Sequence, residues 1–102
     1  MFGDLKNKIN QGKDELNKRM DSAYVRSASP SKMIEVIANG NRQIIDLKVQ
    51  SEIYEDPEQF EDELIITLNQ ALEKADVMYQ EEMKTAMKGY MPNIPGLDGL
   101  LD

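Results

Sequence analysis

Asp56-Pro57-Glu58-Gln59-Phe60-Glu61-Asp62-Glu63-Leu64-Ile65-Ile66 opens the stretch that decides the fold, which runs on to Lys88. Asp56 is placed as N-cap, Pro57 at the first helical position where a missing N–H costs nothing, and Gln59 three residues on to complete a capping box. Phe60, Leu64, Leu68, Ala71, Leu72, Ala75, Met78, Tyr79, Met83 and Ala86 then recur at steps of three and four, which predicts one long amphipathic helix. Acids crowd its first turns and Lys84 and Lys88 its last, complementing the helix dipole, and Gly89 is the expected stop. Such a helix is about 48 Å long at roughly 1.5 Å per residue. A compact domain of this size has a radius of gyration near ~13 Å, so part of the apolar face, carrying Met78, Tyr79 and Met83, must overhang. A second copy of the chain is the simplest cover.

Working outward toward the N-terminus, Lys32 to Ala38, Asn39-Gly40 and Asn41 to Val49 read as a hairpin. Asn-Gly fills a two-residue type I′ turn, which pairs Ala38 with Asn41, Ile34 with Ile45 and Val36 with Gln43. Ile34, Val36, Ile45, Leu47 and Val49 then share the face expected to lie under the long helix. The other face, with Met33, Glu35, Ile37, Arg42, Ile44, Asp46 and Lys48, is too mixed for a core and too apolar for free solvent, and is expected to make a subunit contact. Met33, Ile37, Ile44, Met78, Tyr79 and Met83 are accordingly the candidate dimer interface. Ala23 to Ala28 is a further short strand, Ser29-Pro30-Ser31 a turn, and Ile53 and Tyr54 the expected anchors between hairpin and helix.

Phe2, Leu5, Ile9, Leu16 and Met20 form a narrow stripe on a first helix, closer to a coiled-coil seam than to a broad core face. Lys6 and Lys13 flank the seam on one side, Lys8, Lys18 and Arg19 toward the other and the outer surface. These residues alone leave two readings open: lysine stems covering the seam on a solvated face, or a shallow phosphate-contacting surface. The fold class is therefore α+β, an α-β-β-β-α protomer with a three-stranded antiparallel sheet. Residues 1–88 form its single domain and 89–102 a Pro/Gly-rich tail.

The chain of 102 residues carries a formal net charge of −7, with no histidine and no cysteine. The commonest general base, the thiol nucleophile and the soft metal ligands are absent, so no enzyme, cofactor, metal site or small-molecule substrate is expected. Residues 51–63 hold seven acidic and no basic side chains, whereas residues 1–20 hold five basic and three acidic ones. The acids from Glu55 to Glu63 lack the spacing of a calcium loop and are read as a helix start and a solubilising surface. Met1-Phe2-Gly3-Asp4 has no basic segment followed by an apolar run, so neither a signal peptide nor a membrane partner is expected, and cytoplasm is the expected compartment.

Three stretches carry a family resemblance: Met1-Phe2-Gly3; Glu61-Asp62-Glu63-Leu64-Ile65 followed by Leu68-Asn69-Gln70-Ala71; and Lys88-Gly89-Tyr90-Met91-Pro92-Asn93-Ile94-Pro95-Gly96-Leu97. In order and spacing they resemble the YbaB/EbfC family of bacterial nucleoid-associated proteins. The resemblance implies a tweezer-like homodimer that binds DNA in the nucleoid with little sequence selectivity, its contacts on the helical arms. On that reading Lys6, Lys8, Lys13, Lys18 and Arg19 are the candidate DNA-binding residues. The alternative is a protein-protein interaction module without a nucleic-acid role, using the acidic helix start, the mixed sheet face and the tail.

Overall fold

The computed structural model describes residues 2–90, in the order α1 (Phe2–Asp21), β1 (Tyr24–Ala28), β2 (Ile34–Asn39), β3 (Ile44–Val49), a 3-10 turn (Ser51–Glu55) and α2 (Pro57–Tyr90). The sheet order is β1-β2-β3 with both pairs antiparallel, so the α-β-β-β-α architecture is as the patterning predicts. Asp56 caps α2 through Oδ1, which accepts the Gln59 N–H at 3.1 Å. The reciprocal half of the capping box does not form. The Asp56 N–H donates to the Ile53 carbonyl at the end of the 3-10 turn, and the Gln59 amide reaches forward to Glu63 at 2.9 Å. Helix α2 also continues through Gly89 to Tyr90, past the expected stop. A glycine costs a helix only about 1 kcal/mol, so it permits termination without enforcing it. The remainder of the expected tail, from Met91 onward, lies outside the described residues.

The core sits between the sheet and the first half of α2: Ile34, Val36, Ala38, Ile53, Ala71 and Ala75 are buried, with Val25, Phe60, Leu64 and Leu68 packed around them. Alanines at 71 and 75 let the helix axis settle close to the strands. Polar groups inside this layer are satisfied locally, Thr67 by the Glu63 carbonyl at 2.6 Å and Ser27 by the Gln70 side chain at 3.1 Å. Ile53 anchors the crossing as expected, whereas Tyr54 stays largely exposed and only tilts its ring against Phe60, centroids 5.1 Å apart.

The hairpin differs from the expected one. Its register pairs Ile34 with Val49 and Val36 with Leu47, and a bulge leaves Ile45 unmatched between the Ala38–Ile44 and Ile37–Asp46 pairs. The turn is wider than two residues: the Asn39 N–H donates to the Gln43 carbonyl, the Arg42 N–H donates to the Asn39 carbonyl, and the left-handed residue is Arg42 (φ 64°). A type I turn followed by a left-handed residue is the usual three-residue solution. Asn39 builds it, its Oδ1 accepting the N–H groups of Asn41 (3.0 Å) and Gln43 (3.1 Å). Gly40 serves close approach instead. Its N–H points at the carbonyls of Met20 (2.9 Å) and Ala23 (2.8 Å), and a Cβ there would lie 2.5 Å from Met20 Sδ and 3.0 Å from Met20 Cβ.

Up to the bulge the register slips by four residues, so Leu47 and Val49 keep the face of Ile34 and Val36; beyond it Ile44 pairs with Ala38 and joins that face, not the opposite one expected, and the face is not covered at its β3 edge. Helix α2 lies over β1 and β2 and barely reaches β3. Ile44, Ile45 and Leu47 are therefore 40%, 49% and 44% exposed, which corrects the expectation that Ile45 and Leu47 lie in the core.

Glu63 departs from the other acids of its stretch. It is almost fully buried, its Oε1 accepting the Ser31 backbone N–H at 2.7 Å and its Oε2 the Gln59 amide, which ties the β1–β2 turn to α2. The Ser31 backbone hydrogen bond, aided by side-chain hydrogen bonds from Ser31, Gln59 and Ser29 and opposed by burial, holds its carboxyl below the usual glutamate range.

Two outcomes follow. Gly40→Ala is expected to cost about 1–3 kcal/mol by overpacking Met20, seen as a lowered thermal midpoint, with Gly40→Ala/Met20→Ala less destabilised than the sum of its parts. Since a depressed carboxyl stabilises the fold above its unfolded pKa and loses that effect as pH falls through the folded value, the stability gap between the native chain and Glu63→Gln should be largest near neutrality. It should close on acidification below the glutamate range, as measured by urea unfolding at stepped pH.

Candidate nucleic-acid interface

The narrow stripe of α1 does what its width allows: it packs along a single partner, the second half of α2 of the same chain. Leu16, Met20 and Gly12 are buried on that seam and Ile9 is half-buried. The helices run antiparallel, since Asn17 near the end of α1 accepts a hydrogen bond from the Tyr79 hydroxyl at 3.2 Å, while Gly12 and Ala86 line opposite walls of one groove. Together they form an arm projecting from the sheet-covered body. Its free end consists of the first turns of α1 and the last turns of α2.

The free end is basic. Residues 2–13 and 83–90 contain Lys6, Lys8, Lys13, Lys84 and Lys88 against the single acid Asp4, a net charge of +4 on a chain of net charge −7, and the acids Asp14, Glu15, Glu81 and Glu82 border this end on its inner side. Lys6, Lys8, Lys13 and Lys88 are exposed and Lys84 is half-buried. The acids of residues 52–63 lie at the opposite end of α2. From Glu58 to Lys88 the axis runs about 45 Å at 1.5 Å per residue. That is several times the ~8 Å screening length at physiological ionic strength, so the two charge clusters act independently.

Of the five cations singled out in the sequence, Lys6, Lys8 and Lys13 fall at the free end. Lys18 and Arg19 sit further back, beside Glu15 on a groove of about 570 Å³ between the two helices. Arg19 is paired there with Glu82 at 3.8 Å, an exposed and weak interaction. Lys6 and Lys13 project from one flank of the arm and Lys8 from the other, as the helical spacing requires. Lys84 and Lys88 were legible only as complements to the helix dipole; folding α1 back along α2 is what adds them to the basic end.

The candidate interface residues between copies separate in the same way. Met33 packs against the protomer's own core, and Tyr79 is engaged at the α1 junction. Met78 and Met83 are half-buried on α2, Ile37 is half-buried on the outer sheet face, and Ile44 is exposed on the edge strand. Exposed apolar surface is concentrated instead on β3 and on α2, where Ile65, Ile66 and Val77 are all open to solvent. Ile65, Leu72 and Asp76 fall within about 40° of one another around the helix, and Asp76 pairs at 2.9 Å with Arg42 in the loop that leads into β3. Ile65 and Leu72 therefore lie on the side of α2 that faces the uncovered strand. Among the described residues no helix is long and apolar enough to cross a membrane.

The sequence profile described as the YbaB/EbfC DNA-binding family matches residues 1–91. A nucleoid-associated protein of Flavobacterium johnsoniae is 32% identical over 100 residues, covering 98% of this chain and 93% of its own length. One from Geobacillus sp. (strain WCH70) is 43% identical over 67 residues, covering 64% of this chain and 60% of its own. The fold is shared with the crystal structure of an uncharacterized protein from Helicobacter pylori, at a TM-score of 0.77 and 21% identity over 84% of this chain and 91% of that one.

Proposed function

Because the chain belongs to the YbaB/EbfC DNA-binding family, we propose that it binds duplex DNA as a homodimer with little sequence selectivity, through the basic free ends of its two-helix arms. The observation that carries this reading is five lysines against one aspartate over the last turns of an arm, with the next acids, Asp14, Glu15, Glu81 and Glu82, behind them and the acidic run of residues 52–63 at the far end of α2. Lysines at this end meet phosphates as point charges, and release of the DNA's condensed counterions supplies the affinity. The cations at this end are all lysines, whose point charges suit phosphates rather than the bidentate readout of guanine that arginine provides, which favours low sequence selectivity. The protein then works in the cytoplasm at the nucleoid, where it organises the chromosome or modulates expression, and its relatives bear the name nucleoid-associated.

A second copy supplies the cover that β3 lacks. Ile44, Ile45 and Leu47 on an unpaired edge strand, continued by Ile65 and Leu72, make a surface that natural monomers avoid leaving open. The patch meets solvent next to the body, so a pair joined there leaves both arms projecting. Of the candidate interface residues, Ile44 belongs to this patch, and Met78 and Met83 extend toward the arms.

One competing reading has an observation of its own. Val77 lies exposed beside Gln70, Glu73 and Lys74, which line an open groove on the far side of α2, and a partner protein seated there needs no DNA.

Fluorescence anisotropy with random-sequence duplex DNA separates the readings. DNA binding is expected at low salt, with affinity falling steeply as salt rises. Lys6, Lys8 and Lys13 changed together to glutamine should flatten the dependence of log K on log salt by about 0.9 for each phosphate that is no longer neutralised. Lys84→Gln/Lys88→Gln should weaken binding in the same sense, and Lys32→Gln/Lys48→Gln on the sheet should leave it unchanged. An intact protein that gives no signal at low salt moves the function to the groove on α2. Leu47→Asp, which puts a charge in the centre of the β3 patch, is expected to elute as a folded monomer in light-scattering chromatography at a concentration where the native chain is a dimer.

A further inference from the structure

The loop Gly40–Arg42 touches every part of the molecule that meets where the arm leaves the body. Gly40 abuts Met20, and its N–H points at the Met20 carbonyl in the last turn of α1 and at the Ala23 carbonyl just beyond the helix. Asn41 Nδ2 donates to the Asn17 carbonyl at 2.8 Å and to Asp21 Oδ1 at 2.5 Å. Arg42, held at φ 64°, donates from Nη1 to Asp76 Oδ1 at 2.9 Å and stacks its guanidinium 4.4 Å above the Tyr79 ring. The Tyr79 hydroxyl in turn donates to Asn17 Oδ1. On the body side of this point α2 is held by the sheet, through Gln70 to Ser27 and Lys74 to the Arg26 carbonyl. On the arm side its partner is α1.

From this placement we propose that the β2–β3 loop is a clamp that sets the direction of the arm relative to the sheet, with Arg42 as its central positioning residue. The planar guanidinium suits the task because it engages a carboxylate through its edge and an aromatic ring through its face at once, which an ammonium does not. A left-handed residue at this position is strained for any side chain other than glycine, and the network around Arg42 offsets that strain. The role in DNA binding rests on the reading above: two arms engage one duplex with an effective concentration set by how well their directions are held.

The chain has no cysteine, so a distance across the clamp is readily measured. Ser51→Cys in the body and Thr85→Cys on the arm, spin-labelled and diluted with unlabelled chain, give an intraprotomer distance distribution by pulsed electron paramagnetic resonance. It should be narrow in the native background and become broad and shifted with Arg42→Ala, Asp76→Ala or Tyr79→Leu, with Arg42→Lys intermediate. Distributions that stay superimposable in all three variants would overturn the clamp, whether or not the protein binds DNA. The DNA readout has a sign of its own. Asp76→Ala removes a negative charge, so electrostatics alone tightens binding; loss of positioning instead weakens it, by about threefold at low salt. A broadened distance accompanied by tighter binding would overturn the positioning role in recognition. Tyr79→Leu changes no charge and should weaken binding to a similar extent.

Discussion

A helix of 34 residues extends for about 51 Å, and strands of six residues cover only about 20 Å of it. That mismatch governs the rest of the molecule. The first half of α2 is buried by the sheet and becomes the core; the second half has no sheet to lie on and takes α1 as its partner. The result is a body with an arm, with a radius of gyration of 18.4 Å and a longest dimension of 62 Å. A compact chain of this length has a radius of gyration near ~13 Å.

The same geometry turns a modest charge imbalance in the sequence into a functional one. Lysines from the first and last stretches of the described chain gather at one end of α2, and the acids of residues 52–63 stay at the other. In salt solution charges separated by several screening lengths do not cancel, so net charge is a poor guide to which end of this protein meets an anion. Glu63 shows that even the acidic end is not uniform, because one carboxylate in that run is withdrawn from solvent to hold the Ser29–Ser31 turn.

The narrow sheet has a second consequence at its edge. With α2 seated over β1 and β2, the inner face of β3 is left without a helix, and its isoleucines and leucine lie open beside Ile65 and Leu72. An edge strand of this composition is a liability in a monomer and an asset in a pair. The hairpin loop that leads into that strand closes the junction between sheet and arm, so β3 borders both the surface proposed to join two copies and the clamp proposed to direct their arms.

Element identity was legible in the residues themselves. The three-and-four spacing from Phe60 to Ala86, the Asp56-Pro57 start and the narrow stripe from Phe2 to Met20 specify their helices locally, since each depends on backbone geometry and the solvation of one face. The family membership and the basic character of the first helix were equally readable. Asn39-Gly40 marked the hairpin but not its register, because Gly40 answers to Met20, twenty positions away, and the left-handed position passed to Arg42. Whether Ile45 and Leu47 are buried, whether Lys84 and Lys88 join Lys6 and Lys8, and where Glu63 points were decided only by tertiary structure. Periodicity states which side chains share a face; what lies opposite that face depends on how far a long helix overruns a short sheet, and no local pattern encodes that distance.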